Sequence, residues 1–240
     1  MKHSAEIPGQ GEFSLLKSIR KIGQSFVNSS RDDTRDLLNK NLAYIPVRIH
    51  TTLPEHRKQP TVKQSHLISE TILYCYFGQI YSPHGIVPDL RQSSFFQKYH
   101  EIYWNPRNLV YSFEDQFRTG IIAVYKGIFE KSDSCIREGL YMMFPNLSTE
   151  ASEFLLNLIK QHTEIIFSSK EGQDPSNLWA ISLEMLKNLK VINIPVNPDL
   201  AVFIGFAHQA NSCIKQLTEY SHITEIYHHV RNHCQSLFDQ

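Results

Sequence analysis

Side chains with a capacity for chemistry cluster in two stretches of this chain. The first is GIVPDLRQSSFF, Gly85 to Phe96, where Asp89 follows a proline and is itself followed by Arg91, Ser94 and two phenylalanines. A carboxylate held outside a helix among polar neighbours can take a proton or help to hold a hard cation. The second is SHITEIYHHVRNHC. At about 100° per residue, His222, Glu225, His229 and His233 fall on one helix face, with Tyr220, Ile223, Tyr227, Val230 and Cys234 opposite. His229 and His233 form an i, i+4 pair able to chelate Zn²⁺ or Ni²⁺. Because that face turns away from the apolar one, it reads as a solvated surface that takes up metal adventitiously. A built metal site needs a second element to cover it, and the nearest other pair, His162 and Glu164, does not share a face. Nucleophilic catalysis has no identifiable centre, since there is no G-x-S-x-G elbow and no serine, cysteine or aspartate with a recognisable partner.

The elements that must position these groups read as helices. FSLLKSIRKIGQSFVNSS and the shorter DTRDLLNKNLAYI carry apolar residues at helical spacing. Arg48 to Lys63 is polar, basic and broken by Pro54 and Pro60, and so reads as a connection. Gln64 to Tyr81 returns to a helical period until Pro83, Gly85 and Pro88 stop it. An aromatic-rich irregular region follows, in which SSFF and LVYSF are candidate strands on either side of an NPRN turn. Then DQFRTGIIAVYKGIFEK, SDSCIREGLYMM and STEASEFLLNLIKQHTEIIFSS predict three helices, the last capped by Ser148 or Thr149. LWAISLEMLKNLKV, the connector NIPVNPD and two C-terminal helices broken near Asn211 complete the chain. The expected fold is mainly α, with roughly seven to nine helices and at most one small β-hairpin. The division is an N-terminal helical extension and linker over 1–63 and a compact helical domain over 64–240.

At 240 residues the chain can bury a sizeable core without staples. Its 24 basic residues balance 24 acidic ones, which disfavours nucleic acid as the main partner. Cys75, Cys135, Cys213 and Cys234 form no C-x-x-C pair and lie in apolar helical patterns, as buried free thiols do in a reducing compartment. The start, MKHSAEIPGQGEF, has no apolar run long enough for a signal-peptide core, and TILYCYFGQIY is too short to span a bilayer. These features predict a cytoplasmic protein without a transmembrane segment.

The order QIYSPHGIVPDLRQSSFF, NLVYSFED, FRTGIIAVYKGIFEKSDSCIREGL resembles the C-lobe of the UbiB/AarF-type atypical kinases. In that family a helix with a similar glutamine leads into a catalytic loop H-A-D-x-H-P-G-N, then a D-F-G-like metal-binding turn and a helix of this kind. The later VNPDL is similar to the family's L-P-P-D-L connector, and RKIGQSF to its K-x-G-Q signature through Lys21, Gly23 and Gln24. The resemblance implies a kinase C-lobe-like fold, with Asp89 and Arg91 on the catalytic loop and nucleotide contacts near Lys21, Gln24, Ser94, Ser112, Glu114 and Asp115. It also implies a setting in lipid or quinone metabolism.

The departures decide the functional expectation. On that loop Val87 and Arg91 stand where histidines belong, and Ser94 stands where the metal-binding asparagine belongs; on the D-F-G-like turn Ser112 takes the place of the aspartate. Serine hydroxyls are weak ligands for a dication that prefers carboxylate oxygen, so much of the charge stabilisation needed for phosphoryl transfer is lost. Only about fifty residues separate KIGQ from Gln79, with no Gly-rich phosphate loop among them and no room for a β-rich N-lobe. The expected protein is a catalytically impaired, kinase-like helical protein that acts by binding or regulation, with a protein partner or self-association. One alternative is an active phosphotransferase or ATPase using ATP and Mg²⁺, with Asp89 as base and Glu114 or Asp115 as metal ligand. Another is a helical protein that binds metal or a hydrophobic small ligand. For that ligand, Tyr74, Tyr76, Phe77, Tyr81, Phe95, Phe96, Tyr99, Tyr103 and Trp104 supply either a pocket or ordinary core.

Overall fold

A computed structural model of the protein describes residues 27–28, 31–41, 49–50, 66–91, 94–98, 101–107, 109–168, 188, 197–214 and 220–238. The fold is mainly α. Its helices are α1 (Arg31–Asn41), α2 (His66–Tyr81), α3 (Asp115–Glu130), α4 (Asp133–Met143), α5 (Thr149–Ser168), α6 (Pro198–Ile214) and α7 (Tyr220–Phe238). Five short strands complete it: β1 (Val27–Asn28), β2 (Ile49–His50), β3 (Phe95–Lys98), β4 (Glu101–Trp104) and β5 (Leu109–Val110). No helix among the described residues is long and apolar enough to cross a membrane.

The centre is α2, whose sequence HLISETILYCYFGQIY is apolar on every side. A helix of that kind must be buried all round, and every residue from Thr71 to Ser82 is buried. Around it pack α7, α6, α3 and α1. The apolar face of α7, Ile223, Ile226, Tyr227, Val230 and Cys234, lies against this core as its period predicts. Most of the aromatic cluster is likewise core: Tyr74, Tyr76, Phe77, Tyr81, Phe95 and Trp104 are buried. Phenyl rings fill the space between the helices, Phe129 stacking on Tyr227 at 3.9 Å between centroids and Tyr76 on Phe206 at 4.9 Å. Their hydroxyls pair with one another, Tyr76 with Tyr125 at 2.7 Å and Tyr81 donating to Tyr227 at 3.1 Å. Burial pushes the Tyr76, Tyr81 and Tyr125 phenols up, so each stays a neutral hydrogen-bonding group.

Helices α3 and α4 form a hairpin in close contact. Lys131 takes a left-handed conformation (φ 55°), and the Ser132 N–H returns to the Gly127 carbonyl at 2.8 Å. The Ser132 hydroxyl then accepts from the Cys135 N–H at 3.4 Å, so one serine ends α3 and caps α4. Gly120, Gly127 and Gly139 line the seam. A Cβ on Gly139 would stand 2.5 Å from the Gly120 carbonyl oxygen, and one on Gly127 would stand 2.8 Å from the Ser132 carbonyl oxygen. The next helix, α5, is capped by Ser148, whose hydroxyl accepts from the Ala151 N–H at 3.2 Å. Two ion pairs join α4 to α5, Arg137–Glu153 at 2.7 Å and Lys160–Asp133 at 2.8 Å. The side chains of both pairs reach solvent, where water screens such contacts and they add little to stability.

The strands differ from the expected arrangement. The hairpin is β3–β4, with Phe95 opposite Trp104 and Lys98 opposite Glu101, and the NPR segment follows its second strand instead of forming its turn. Alternation explains the register: Phe95, Ile102 and Trp104 point inward, and Phe95 stacks on Trp104 at 5.0 Å. LV in LVYSF pairs instead with Val27–Asn28, and Ile49–His50 adds to β4 in parallel. Two pieces of the segment 1–63 are thus stitched to the rest by strands, and α1 docks on it through the buried Leu38 and Asn41. The helix predicted in LWAISLEMLKNLKV lies outside the described residues apart from Asn188. Helix α6 runs through Asn211 to Ile214, so the break expected near Asn211 does not fall at that residue.

Candidate functional site

The polypeptide leaving α2 is held by side chains as much as by main-chain bonds. The Ser82 hydroxyl donates to Asn41 Oδ1 at 2.5 Å, and Asn41 Nδ2 donates to the Gly85 carbonyl at 3.0 Å, so the end of α1 grips the turn. Gly85 sits at φ +97°, where an L side chain is strained, and a Cβ there would meet the Tyr111 carbonyl oxygen at 2.9 Å. Ile86 and Tyr111 exchange both main-chain hydrogen bonds, at 2.7 and 2.9 Å. Beyond them Gln79 acts as a strand would. Its Oε1 accepts from the Val87 N–H at 2.6 Å, and its Nε2 donates to the Val87 carbonyl at 3.3 Å. The Leu90 N–H donates to Gln209 Oε1 at 2.9 Å, and the Trp104 indole N–H donates to the Asp89 carbonyl at 3.0 Å. Removing the Gln79 amide in Gln79→Leu leaves two buried main-chain groups unpaired, each costing about 1–3 kcal/mol. The expected result is a stability loss of that size, read in urea denaturation as a lowered midpoint at an unchanged slope.

This scaffold presents the Asp89 side chain inward, at 6% relative exposure. Its Oδ1 accepts from Arg91 Nε at 2.7 Å and from the Ser94 hydroxyl at 2.9 Å. Oδ2 accepts from Arg91 Nη2 at 2.9 Å and from the Arg107 main-chain N–H at 2.9 Å. A carboxylate has about four acceptor sites, and here all are taken. Burial alone would raise the pKa of this group, but the hydrogen bonds from Arg91, Arg107 and Ser94 together hold it below the usual aspartate range. Asp89 is therefore an ionised, saturated anion, with no lone pair left over for a substrate proton or a metal.

Asp89, Arg91 and Ser94 thus come together as a group. The segment that closes over them is Asn105 to Arg107: the Asn105 N–H donates to the Ser94 carbonyl at 2.8 Å, and Arg107 reaches Asp89 through its N–H. The sequence marks this segment as the turn NPRN but does not show that it reaches Asp89. Its signal is the alternation EIYW, which marks a strand ending at Trp104 and so puts the following turn at Asn105. Ser112, Glu114 and Asp115 are exposed and stand elsewhere, with the Ser112 hydroxyl over Gly85. Asp115 pairs with Arg118 at 3.5 Å, and the Glu114 N–H donates to Asp199 Oδ2 at 2.9 Å. Asp199, at the start of α6, also accepts a hydrogen bond from the Tyr111 hydroxyl through Oδ1; its own N–H donates to Asn197 Oδ1 at 2.8 Å. Burial and then that bond to Asp199 push the Tyr111 phenol up. This buried carboxylate ties α6 to the chain entering α3, and it was not singled out from the sequence. Lys21 and Gln24 lie outside the described residues.

The histidine face of α7 is partly occupied by contacts of its own. His229 and His233 stack at 4.4 Å between centroids, His233 Nδ1 lies 2.9 Å from the His229 carbonyl oxygen, and His229 packs edge-on to Tyr74 at 5.7 Å. Glu225 is exposed, and the His222 side chain lies outside the described residues. Among the described residues no group of three or more histidine, cysteine, aspartate or glutamate side chains is placed to hold a metal ion. No protein-family profile matches the chain, and no curated protein aligns with it.

Proposed function

We propose that this chain is a catalytically impaired, kinase-like helical protein that works by binding or regulation, its loop around Asp89 serving as scaffold. The observation that carries this reading is the buried Asp89 carboxylate, whose four acceptor positions are all taken by Arg91, Ser94 and the Arg107 N–H. A general base needs a free lone pair within reach of the proton it takes; a metal ligand needs one directed at the ion. Asp89 has neither. The order of elements supports the kinase-like part: a buried helix bearing Gln79, a loop bearing the aspartate, a β-hairpin, and a strand segment bridged back to that loop before α3 and α4. Serines at positions 94 and 112 support the impairment, because neither supplies the charge that a phosphate-bridging metal needs. The partner or self-association surface and the setting in lipid or quinone metabolism belong to this proposal.

The test is isothermal calorimetry of the full chain with Mg-ATP, together with a phosphate-release assay. Neither saturable heat nor turnover is expected. Mg²⁺-dependent turnover that disappears in Asp89→Ala would overturn the proposal in favour of an active phosphotransferase.

A further inference from the structure

The elements β1, α1 and β2 meet the rest of the chain at three places, and each place abuts a piece of the Asp89 scaffold. Asn41, the last residue of α1, uses both ends of its amide on the turn after α2, accepting from the Ser82 hydroxyl and donating to the Gly85 carbonyl. β1 pairs with β5, and the Leu109 N–H that opens β5 donates at 2.8 Å to the carbonyl of Arg107, whose own N–H is on Asp89. β2 lies on β4, with His50 stacked on Tyr103 at 4.8 Å, one residue before the Trp104 that holds the Asp89 carbonyl.

These attachments are thin. Each of the two strands is two residues long. Along α1 the side chains of Thr34, Leu38 and Asn41 are buried and Leu37 partly so, while Asp32, Asp33, Arg35, Asp36, Asn39 and Lys40 are exposed. Burial of Leu38 must then offset much of the conformational entropy lost in ordering an eleven-residue helix. Thr34 works against it, because its hydroxyl is buried and, among the described residues, has no hydrogen-bond partner. Elements with so few buried apolar contacts open at the lowest cost. We propose that β1, α1 and β2 form a releasable strap, which lifts as one unit while the helical core stays folded, and whose lifting frees the Arg107 N–H from Asp89. Closed, the strap keeps the carboxylate saturated; lifted, it leaves one of the four acceptor positions open. The inference rests on the functional reading above and deepens it, by naming the part of the chain that regulates the Asp89 loop.

The experiment is hydrogen–deuterium exchange of the full chain read by mass spectrometry, with circular dichroism to follow folding. Thr34→Val keeps the side-chain shape and removes the orphan hydroxyl, so it should hold the strap down; Leu38→Ala removes its main buried contact and should lift it. Exchange should slow in the first variant and quicken at least about tenfold in the second, in step over 31–41, 82–86 and 101–111, while 115–143 keeps the rate of the unaltered chain. No change in either variant, or a change that stops short of 101–111, overturns the inference, because the strap then opens without reaching Arg107. A change shared equally by 115–143 also overturns it, since the fold then opens only as a whole. If Leu38→Ala does not fold, Thr34→Val is read beside the unaltered chain in low urea, where the three stretches should open on one isotherm below global unfolding. Mg-ATP turnover would sink the functional reading and leave this exchange pattern as it is, and exchange that is not shared leaves the nucleotide result standing.

Discussion

Gly139→Ala is expected to destabilise the protein by about 2 kcal/mol or more, although alanine is the better helix former by about 1 kcal/mol. The added methyl would lie 2.5 Å from the Gly120 carbonyl oxygen and 2.8 Å from the Val124 amide nitrogen. Both are main-chain atoms of the facing helix, so no rotamer change relieves the contact and α3 and α4 must separate. Overpacking of that kind costs about 1–3 kcal/mol and sometimes more, and it exceeds the propensity gain. Gly205 is the internal control. It is exposed on α6, and a Cβ there meets nothing within 4 Å. Gly205→Ala should therefore stabilise the protein, by up to about 1 kcal/mol. Thermal melts of the two variants should move in opposite directions, and a rise for both would show that the α3–α4 seam is looser than described.

The second large effect is at Asp89. An asparagine there keeps the shape but turns an NH₂ group toward one pair of donors, leaving two of the four bonds unmade. Hydrogen bonds to a charged group contribute about 1.5–3 kcal/mol each, so Asp89→Asn should lose about 3 kcal/mol of stability near pH 7. The acid response gives an independent readout. Because the folded state holds the Asp89 carboxyl below its ordinary range, its contribution is complete above the unfolded value, near about pH 4, and is lost as pH falls through the folded one. The unaltered chain should lose stability below about pH 4 more steeply than Asp89→Asn does. Parallel curves would mean that Asp89 is not ionised in the fold, and the scaffold role would go with it.

What could be read in advance followed periodicity. The all-round apolar run of α2, the amphipathic faces of α3 and α7 and the serine cap of α5 are local properties, written in side-chain spacing. The sequence by itself therefore determined a mainly α protein with an irregular loop around Asp89 and no excess charge. Short strands were less legible, because two-residue pairings such as Val27–Asn28 with Leu109–Val110 depend on partners far away in the chain.

Only the tertiary structure decided the state of the aspartate. Arg91 is near in sequence, but the Arg107 N–H is brought to Asp89 by the β3–β4 hairpin, and Gln79, Gln209 and Trp104 fix the main chain around it from three separate elements. The same holds for Asp199, whose partners Tyr111 and Glu114 lie 88 and 85 residues away. Residue type announces that a carboxylate is present. Whether it is a reagent or a staple depends on how many donors the fold aims at its four acceptor positions, and that count has no local signature in the sequence.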